Sequence, residues 1–227
     1  MQPYFLPYIG YFQLMAAVDK FIIYDDVNYI NRGWINRNRL LINGVSHTFT
    51  VPLSRASQNR LICDIEVNDE QNWRIKLLRT IQQAYGKAPY YRQVLVLLES
   101  MINYPSIYLD KFLLNSLHEM VQYLSLEVEI ISTSRIYNNA HLKGQERIID
   151  ICRQERAKRY VNPIGGIELY DGMCFSEQNV VLNFLRSYPI YYPQGKNDFV
   201  SGLSILDALM FNKPSSVRRI LSNMELI

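Results

Sequence analysis

The sequence predicts an α/β fold: a Rossmann-like, mostly parallel sheet with a β-hairpin and a helical insert. Three observations carry this. From Gln2 to Asp26 the order reads strand exit, loop, helix, strand, acid; Asn43-Gly44 separates two strand-like runs; and three helical patterns follow one another between Asp69 and Leu124 before strand patterns resume. The first is the order of a nucleotide-binding α/β unit, the second the signal of a tight antiparallel connection, the third that of helices packed on a sheet. The expected division is residues 1–68 and 125–227 as the α/β core, with 69–124 as a helical insert within one structural unit.

Pro3 and Pro7 lack amide donors and push the residues before them toward extended geometry, so Gln2 to Ile9 is a stiff strand exit and loop. Gly10 permits a close approach, and Tyr11 to Val18 has helix-forming composition until Asp19-Lys20 breaks it. Phe21 to Tyr24 is a short apolar strand ending on Asp25-Asp26. Loop amides and a helix N-terminus in this order suit an anionic ligand, which makes Gln2, Tyr4, Tyr8, Gly10 and Tyr11 candidate binding residues. Neither G-x-G-x-x-G nor G-x-x-x-x-G-K-[ST] is present, and Pro3, Pro7 and Gly10 fit a tight connection without a ligand equally well.

The segment from Val27 to Arg39 is polar, amide-rich and basic. Arg32, Arg37 and Arg39 offer forked donors to phosphate or carboxylate, Asn36 can bridge hydroxyls, and Trp34 can stack on a ring. An exposed hairpin with solvated arginines has the same composition. Leu40 to Ile42, Asn43-Gly44 and Val45 to Val51 predict a type I′ hairpin. Alternation puts His47 on the face of Val45, Phe49 and Val51, which predicts a half-buried, hydrogen-bonded histidine.

Leu61 to Val67 reads as a strand, and a helix is expected from Asp69 with Trp73, Leu77, Ile81 and Tyr85 as its core stripe. A second helix follows Pro89, and a third spans Ile107 to Leu124 with Leu109, Phe112, Leu113, Leu117, Met120 and Leu124 on one face. Leu126 to Ile131 returns to strand. Lys143 precedes a short helix around Ile148 to Cys152 and is a candidate anion contact; a surface cap with Glu146 and Arg147 solvated is the alternative. Arg159 to Val161 ends in Asn162-Pro163-Ile-Gly165-Gly166, a second strand exit built like the first, so Asn162, Gly165 and Gly166 join the candidates. Val180 to Leu185 is strand-like, Ser204 and Asp207 fit a capping box for a helix over Ile205 to Phe211, and Pro214 starts a last helix. If the strands are parallel neighbours, Gln2, Asp25 or Asp26, and Asn162 converge on one pocket at their carboxyl ends.

Composition narrows the function classes. With 227 residues of which 48% are hydrophobic, the chain can bury a sizeable core, and 24 basic against 21 acidic residues argue against a nucleic-acid partner. No window of about eighteen uncharged apolar residues spans a bilayer, and an N-terminus without a basic region argues against a signal peptide. Cys63, Cys152 and Cys174 are odd in number and widely spaced, which predicts buried thiols, no metal site and a reducing cytoplasm.

QPYFLPYIGYFQL followed by DKFIIYDDVNYINRGWINRNRL resembles the signature of the WbqC-like family of bacterial proteins. Tyr85-Gly-Lys-Ala-Pro-Tyr90, Lys143-Gly-Gln-Glu-Arg-Ile148, Tyr160-Val-Asn-Pro-Ile-Gly-Gly166 with Glu168-Leu-Tyr170, and Leu203 to Asn212 extend the likeness over nearly the whole chain. Members usually carry a few residues before the QP motif, so the first strand is expected here only as a stub. The resemblance implies work on O-antigen and other surface polysaccharides, as a transferase moving glycine or a similar acyl unit to the amine of a nucleotide-linked sugar. Such chemistry needs a general base and donors for an oxyanion or phosphate, roles for which Asp25 or Asp26 and Arg32, Arg37 and Lys143 are the candidates. The sequence leaves the cofactor open, with ATP or another nucleotide as a candidate substrate. Two other readings stay open. Tyr8-Ile-Gly-Tyr11 stands where adenylyl-transferring nucleotidyltransferases carry H-x-G-H, and a non-catalytic nucleotide or sugar binder fits the same composition. The oligomeric state is not set by the sequence.

Overall fold

The computed structural model describes residues 1–70, 72–196 and 198–227. It is a mixed α/β structure with small sheets and packed helices. α1 (Ile9–Ala16) begins two residues after Pro7 and buries Tyr11, Phe12, Gln13, Leu14 and Met15, so it is a core helix rather than a surface one. β1 (Lys20–Ile22) follows. The backbone of Met1 brackets Ile23, donating to Ile22 O at 2.8 Å and accepting from Tyr24 N at 2.9 Å, which is the bonding pattern of a parallel pair.

β2 (Arg37–Ile42) and β3 (Val45–Thr50) pair antiparallel, with Ile42 opposite Val45. Between them Asn43 and Gly44 have φ of 52° and 78°, the left-handed values that a two-residue connection of this hand requires. β3 buries only Phe49, and His47 is exposed. The half-buried histidine is therefore corrected: alternation groups His47 with Phe49 and Val45, but among the described residues the core reaches only Phe49 on that face.

Leu61 to Val67 is not one strand. A 3-10 turn at Ile62–Asp64 interrupts it, and only Glu66–Val67 remains extended as β5, paired antiparallel with β4 (Leu53–Ser54). Then come α2 (Trp73–Tyr85), α3 (Tyr91–Ile102) and α4 (Leu109–Leu124). The expected start of α2 at Asp69 runs through Gln71, which lies outside the described residues. The α2 and α4 stripes are buried as their spacing requires.

β6 (Glu129–Ile131) pairs parallel with β1, placing Lys20 opposite Glu129. Next are α5 (Gly144–Gln154), β7 (Arg159–Pro163), α6 (Gly172–Ser176) and β8 (Val181–Ser187). β7 and β8 pair parallel. α7 (Ile205–Phe211), α8 (Pro214–Leu221) and β9 (Met224–Leu226) finish the chain, β9 lying antiparallel on β8.

One hydrophobic core joins Phe5, Phe12 and Ile23 to Ile81, Phe112, Leu117 and Leu209. Phe5 sits at its centre, 5.9 Å from the Phe49 ring and 5.1 Å from that of Phe112. A smaller cluster of Cys152, Phe175 and Val180 lies beside Tyr160 and Tyr170. No described helix is long and apolar enough to cross a membrane.

Candidate functional site

The loop ahead of α1 is clamped from both sides. Phe5 N donates to Ile35 O at 2.9 Å and Ile205 N donates to Pro7 O at 2.9 Å. The Leu6 carbonyl accepts from both Asn38 Nδ2 and Ser204 Oγ, each at 2.7 Å. Leu6 is fully buried with φ of 44°, a left-handed conformation costing a leucine roughly 1–2 kcal/mol. Its two carbonyl bonds and buried side chain hold it there, so the loop is rigid. α1 then starts with Tyr8 as N-cap residue and no side chain capping its first amides. A Cβ at Gly10 would lie 2.7 Å from the Tyr8 ring and 3.6 Å from Ser187 Oγ, so the glycine lets Tyr8 fold over the helix start. Tyr11 is buried and donates to Gln2 O at 2.9 Å, with the Tyr4 ring 5.5 Å from its own. Burial raises the pKa of Tyr4, Tyr8 and Tyr11, keeping them neutral.

The two aspartates after β1 are tied down. Asp25 is fully buried; both its oxygens accept from Thr133 Oγ1 at 2.9 Å, Ser134 N donates to Oδ1 at 3.0 Å, and Arg135 Nη2 lies 3.4 Å from Oδ2. Asp26 accepts from Ser134 Oγ and, at 2.6 Å, from Arg147 Nη2. Arg147 also donates to Asn139 Oδ1 at 2.9 Å and lies over the Tyr24 ring at 4.7 Å. Asp25 is the more fully engaged of the two carboxylates, whereas Asp26 accepts from one side-chain donor on each oxygen. Arg135 additionally lies 3.3 Å from buried Asp110, tying α4 to the exits of β1 and β6.

The remaining predicted residues divide into interior and surface. Asn36 is interior: Oδ1 accepts from Tyr29 OH and Nδ2 donates to Val51 O, both at 2.7 Å. Arg37 donates to Gly33 O at 2.7 Å, and the guanidinium groups of Arg37 and Arg39 lie 5.6 and 4.7 Å over the Trp34 ring. Arg32 and Lys143 are exposed, Lys143 as the N-cap residue of α5. At the β7 exit, half-buried Asn162 accepts from Tyr160 OH at 3.4 Å, and its amide occupies the place a Cβ would take at Gly166. Gly165 is exposed on a 3-10 turn over Ile164–Leu169.

These residues form three groups: the Gln2 to Tyr11 loop between β2 and α7, the aspartates with the β6 exit and α5, and Asn162 with its tyrosines. No hydrogen bond among the described residues joins Gln2 to Asn162. α1 packs against β7 and β8, which sets its N-terminus beside Ser187.

Three side chains stand elsewhere than the sequence patterns place them. Arg147 is buried, not solvated, and its i,i+4 spacing from buried Ile151 is the signal that placed it inward. Asp207 does not complete a capping box. Ser204 caps α7 through Leu206 N at 3.2 Å, but the Asp207 carboxylate accepts from Tyr85 OH at 2.9 Å, Tyr192 OH at 2.8 Å and Gln194 Nε2 at 2.7 Å. Cys174 is partly exposed, against the expectation of three buried thiols.

The sequence model of the WbqC-like protein family matches residues 2–219. The chain belongs to this family. It is also 30% identical over 219 residues to "Uncharacterized protein Rv1507c" of Mycobacterium tuberculosis (strain ATCC 25618 / H37Rv), covering 93% of this chain and 91% of that protein. No solved structure matches. The WbqC-like span takes in the clamped loop, both aspartates, Arg147, the β7 exit and Asp207.

Proposed function

We propose that this WbqC-like chain is a cytoplasmic transferase of surface-polysaccharide biosynthesis, moving a glycyl or other acyl group to the amine of a nucleotide-linked amino sugar. The observation that carries the ligand-binding part is the α1 N-terminus: its first amides carry no side-chain cap, and the loop before it is held rigid through the Leu6 carbonyl. Amides fixed in advance bind phosphate without a further ordering cost.

A Rossmann-like arrangement fits the parallel bonding of Met1, β1 and β6 on one side and of β7 with β8 on the other. In this reading Gln2, Tyr4, Tyr8, Asn162 and the Gly165-Gly166 amides surround the nucleotide-linked sugar, and Arg32, Arg37 and Lys143 supply positive charge to its diphosphate. Asp25 and Asp26 order the β1 exit, and one of them takes the amine proton once substrate replaces a partner. An adenylating route through Tyr8-Ile-Gly-Tyr11 has less support, because Tyr11 is buried and donates to Gln2 O.

The test is incubation with ATP, glycine and UDP-linked amino sugars. An acylated sugar supports the reading, pyrophosphate release alone marks adenylation, and binding without turnover marks a non-catalytic binder. Unchanged turnover in both Asp25→Asn and Asp26→Asn removes the aspartates from the chemistry.

A further inference from the structure

A concavity of ≈ 650 Å³ lies between the 189–193 segment and α8, and no residue predicted from the sequence lines it. We propose that this groove is a saccharide site, selective for a sugar carrying one anionic substituent, either a uronate or a phosphate. The site lies beyond the transferase reading and is independent of it.

The groove is preformed. Asn223 Nδ2 donates to Pro189 O at 3.3 Å and Tyr188 N donates to Asn223 O at 3.2 Å, joining the two walls. Beneath them fully buried Gln13 donates to Asn223 O at 3.0 Å and accepts from Ser187 Oγ at 2.6 Å. Tyr192, on the inner wall, is fixed by its 2.8 Å bond to Asp207.

The lining has the chemistry of a sugar site. Tyr191 is 75% exposed, and its ring is braced by Phe199 at 5.2 Å. An aromatic face attracts the weakly positive C–H groups of a pyranose. Across from it Asn212 and Asn223 use their Nδ2 atoms on Ala208 O and Pro189 O, which leaves their Oδ1 atoms to accept from sugar hydroxyls, with Ser216 beside them. Arg219 is exposed in the same wall and joins no ion pair among the described residues, so its guanidinium is free for a carboxylate or phosphate. An apolar peptide fits less well, because the wall opposite Tyr191 sets the side chains of Asn212, Ser216, Arg219, Ser222 and Asn223 around a single aliphatic one, Ile220.

The experiment is calorimetric titration of the full chain, without ATP or any acyl donor, with glucuronic acid, glucose 1-phosphate and neutral N-acetylglucosamine. The expected result is tighter binding of the two anionic sugars, their relative affinities showing which group is preferred. Arg219→Gln should weaken both anionic sugars at least about tenfold and leave the neutral one unchanged, and Tyr191→Ala should weaken all three about tenfold. Tyr191→Phe should retain binding, which separates loss of the ring from loss of the fold. Absence of saturable binding of all three at about 10 mM, or affinities unaltered in both Arg219→Gln and Tyr191→Ala, overturns the site. Binding of the neutral sugar alone overturns the anionic assignment. Because no turnover is read, failure here is distinct from failure of the transferase reading.

Discussion

Arg147 and Asp26 form an ion pair at 2.6 Å with their side chains 3% and 7% exposed, joining α5 to the exit of β1. Arg147→Leu leaves Asp26 charged, buried and short of its partner, and should destabilise the chain by about 3–5 kcal/mol. The double variant with Asp26→Asn should recover part of that loss. Urea unfolding of the two single variants and the double variant measures both effects; a loss under about 1 kcal/mol for Arg147→Leu would contradict the pairing.

Ser204→Ala removes two bonds at once, the cap on Leu206 N and the donor to the Leu6 carbonyl. A stability loss of about 1–3 kcal/mol is expected. The Phe5 to Tyr8 loop should also lose rigidity, which faster amide exchange at Phe5, bonded to Ile35 O, and at Ile205, bonded to Pro7 O, would report. Unchanged exchange there would mean that Asn38 alone holds the loop.

Burial raises the pKa of Asp207 above the ordinary carboxylate range, against the lowering effect of the Tyr192, Tyr85 and Gln194 donors. A raised folded-state pKa contributes stability in full below the unfolded value of about 3.9, and that contribution is lost as pH rises through the folded value. The stability of the native protein relative to Asp207→Asn should therefore be greatest in acid and decline on raising the pH, then level off. Thermal unfolding of both proteins across this range gives the sign, and a difference that grows with pH would refute it.

The Cys63 and Cys152 thiols are pushed up to about 11, chiefly by burial, whereas Cys174 is partly exposed. A thiol reagent at neutral pH should modify one cysteine per native chain, and Cys174→Ser should abolish that reaction. Three fast-reacting thiols in the native state would contradict the burial of the other two.

Helix faces are legible in the sequence. The stripe Trp73, Leu77, Ile81 and Tyr85 is wholly buried, and so are Leu109, Phe112, Leu113, Leu117, Met120 and Leu124, because helical periodicity is a local property that one segment carries by itself. The helix over Ile205–Phe211 and the proline-led start at Pro214 are readable from start signals, the Ser204 cap and a proline at the first helical position, although Asp207 takes no part in the cap.

The partners of polar groups could not be read this way. Asp25 meets Thr133 across 108 positions, Asp26 meets Arg147 across 121, and Ser204 meets Leu6 across 198. Sequence spacing does not encode which of many donors arrives at a given carboxylate; the pairing follows from how β1, β6 and α5 pack. The same limit explains His47 and Asp207. Alternation and capping patterns state which side chains share a face or a turn, whereas only the packed neighbours decide whether that face is covered. On the face that His47 shares with Phe49 the core covers Phe49 and leaves His47 exposed, while Tyr85, Tyr192 and Gln194 close over Asp207.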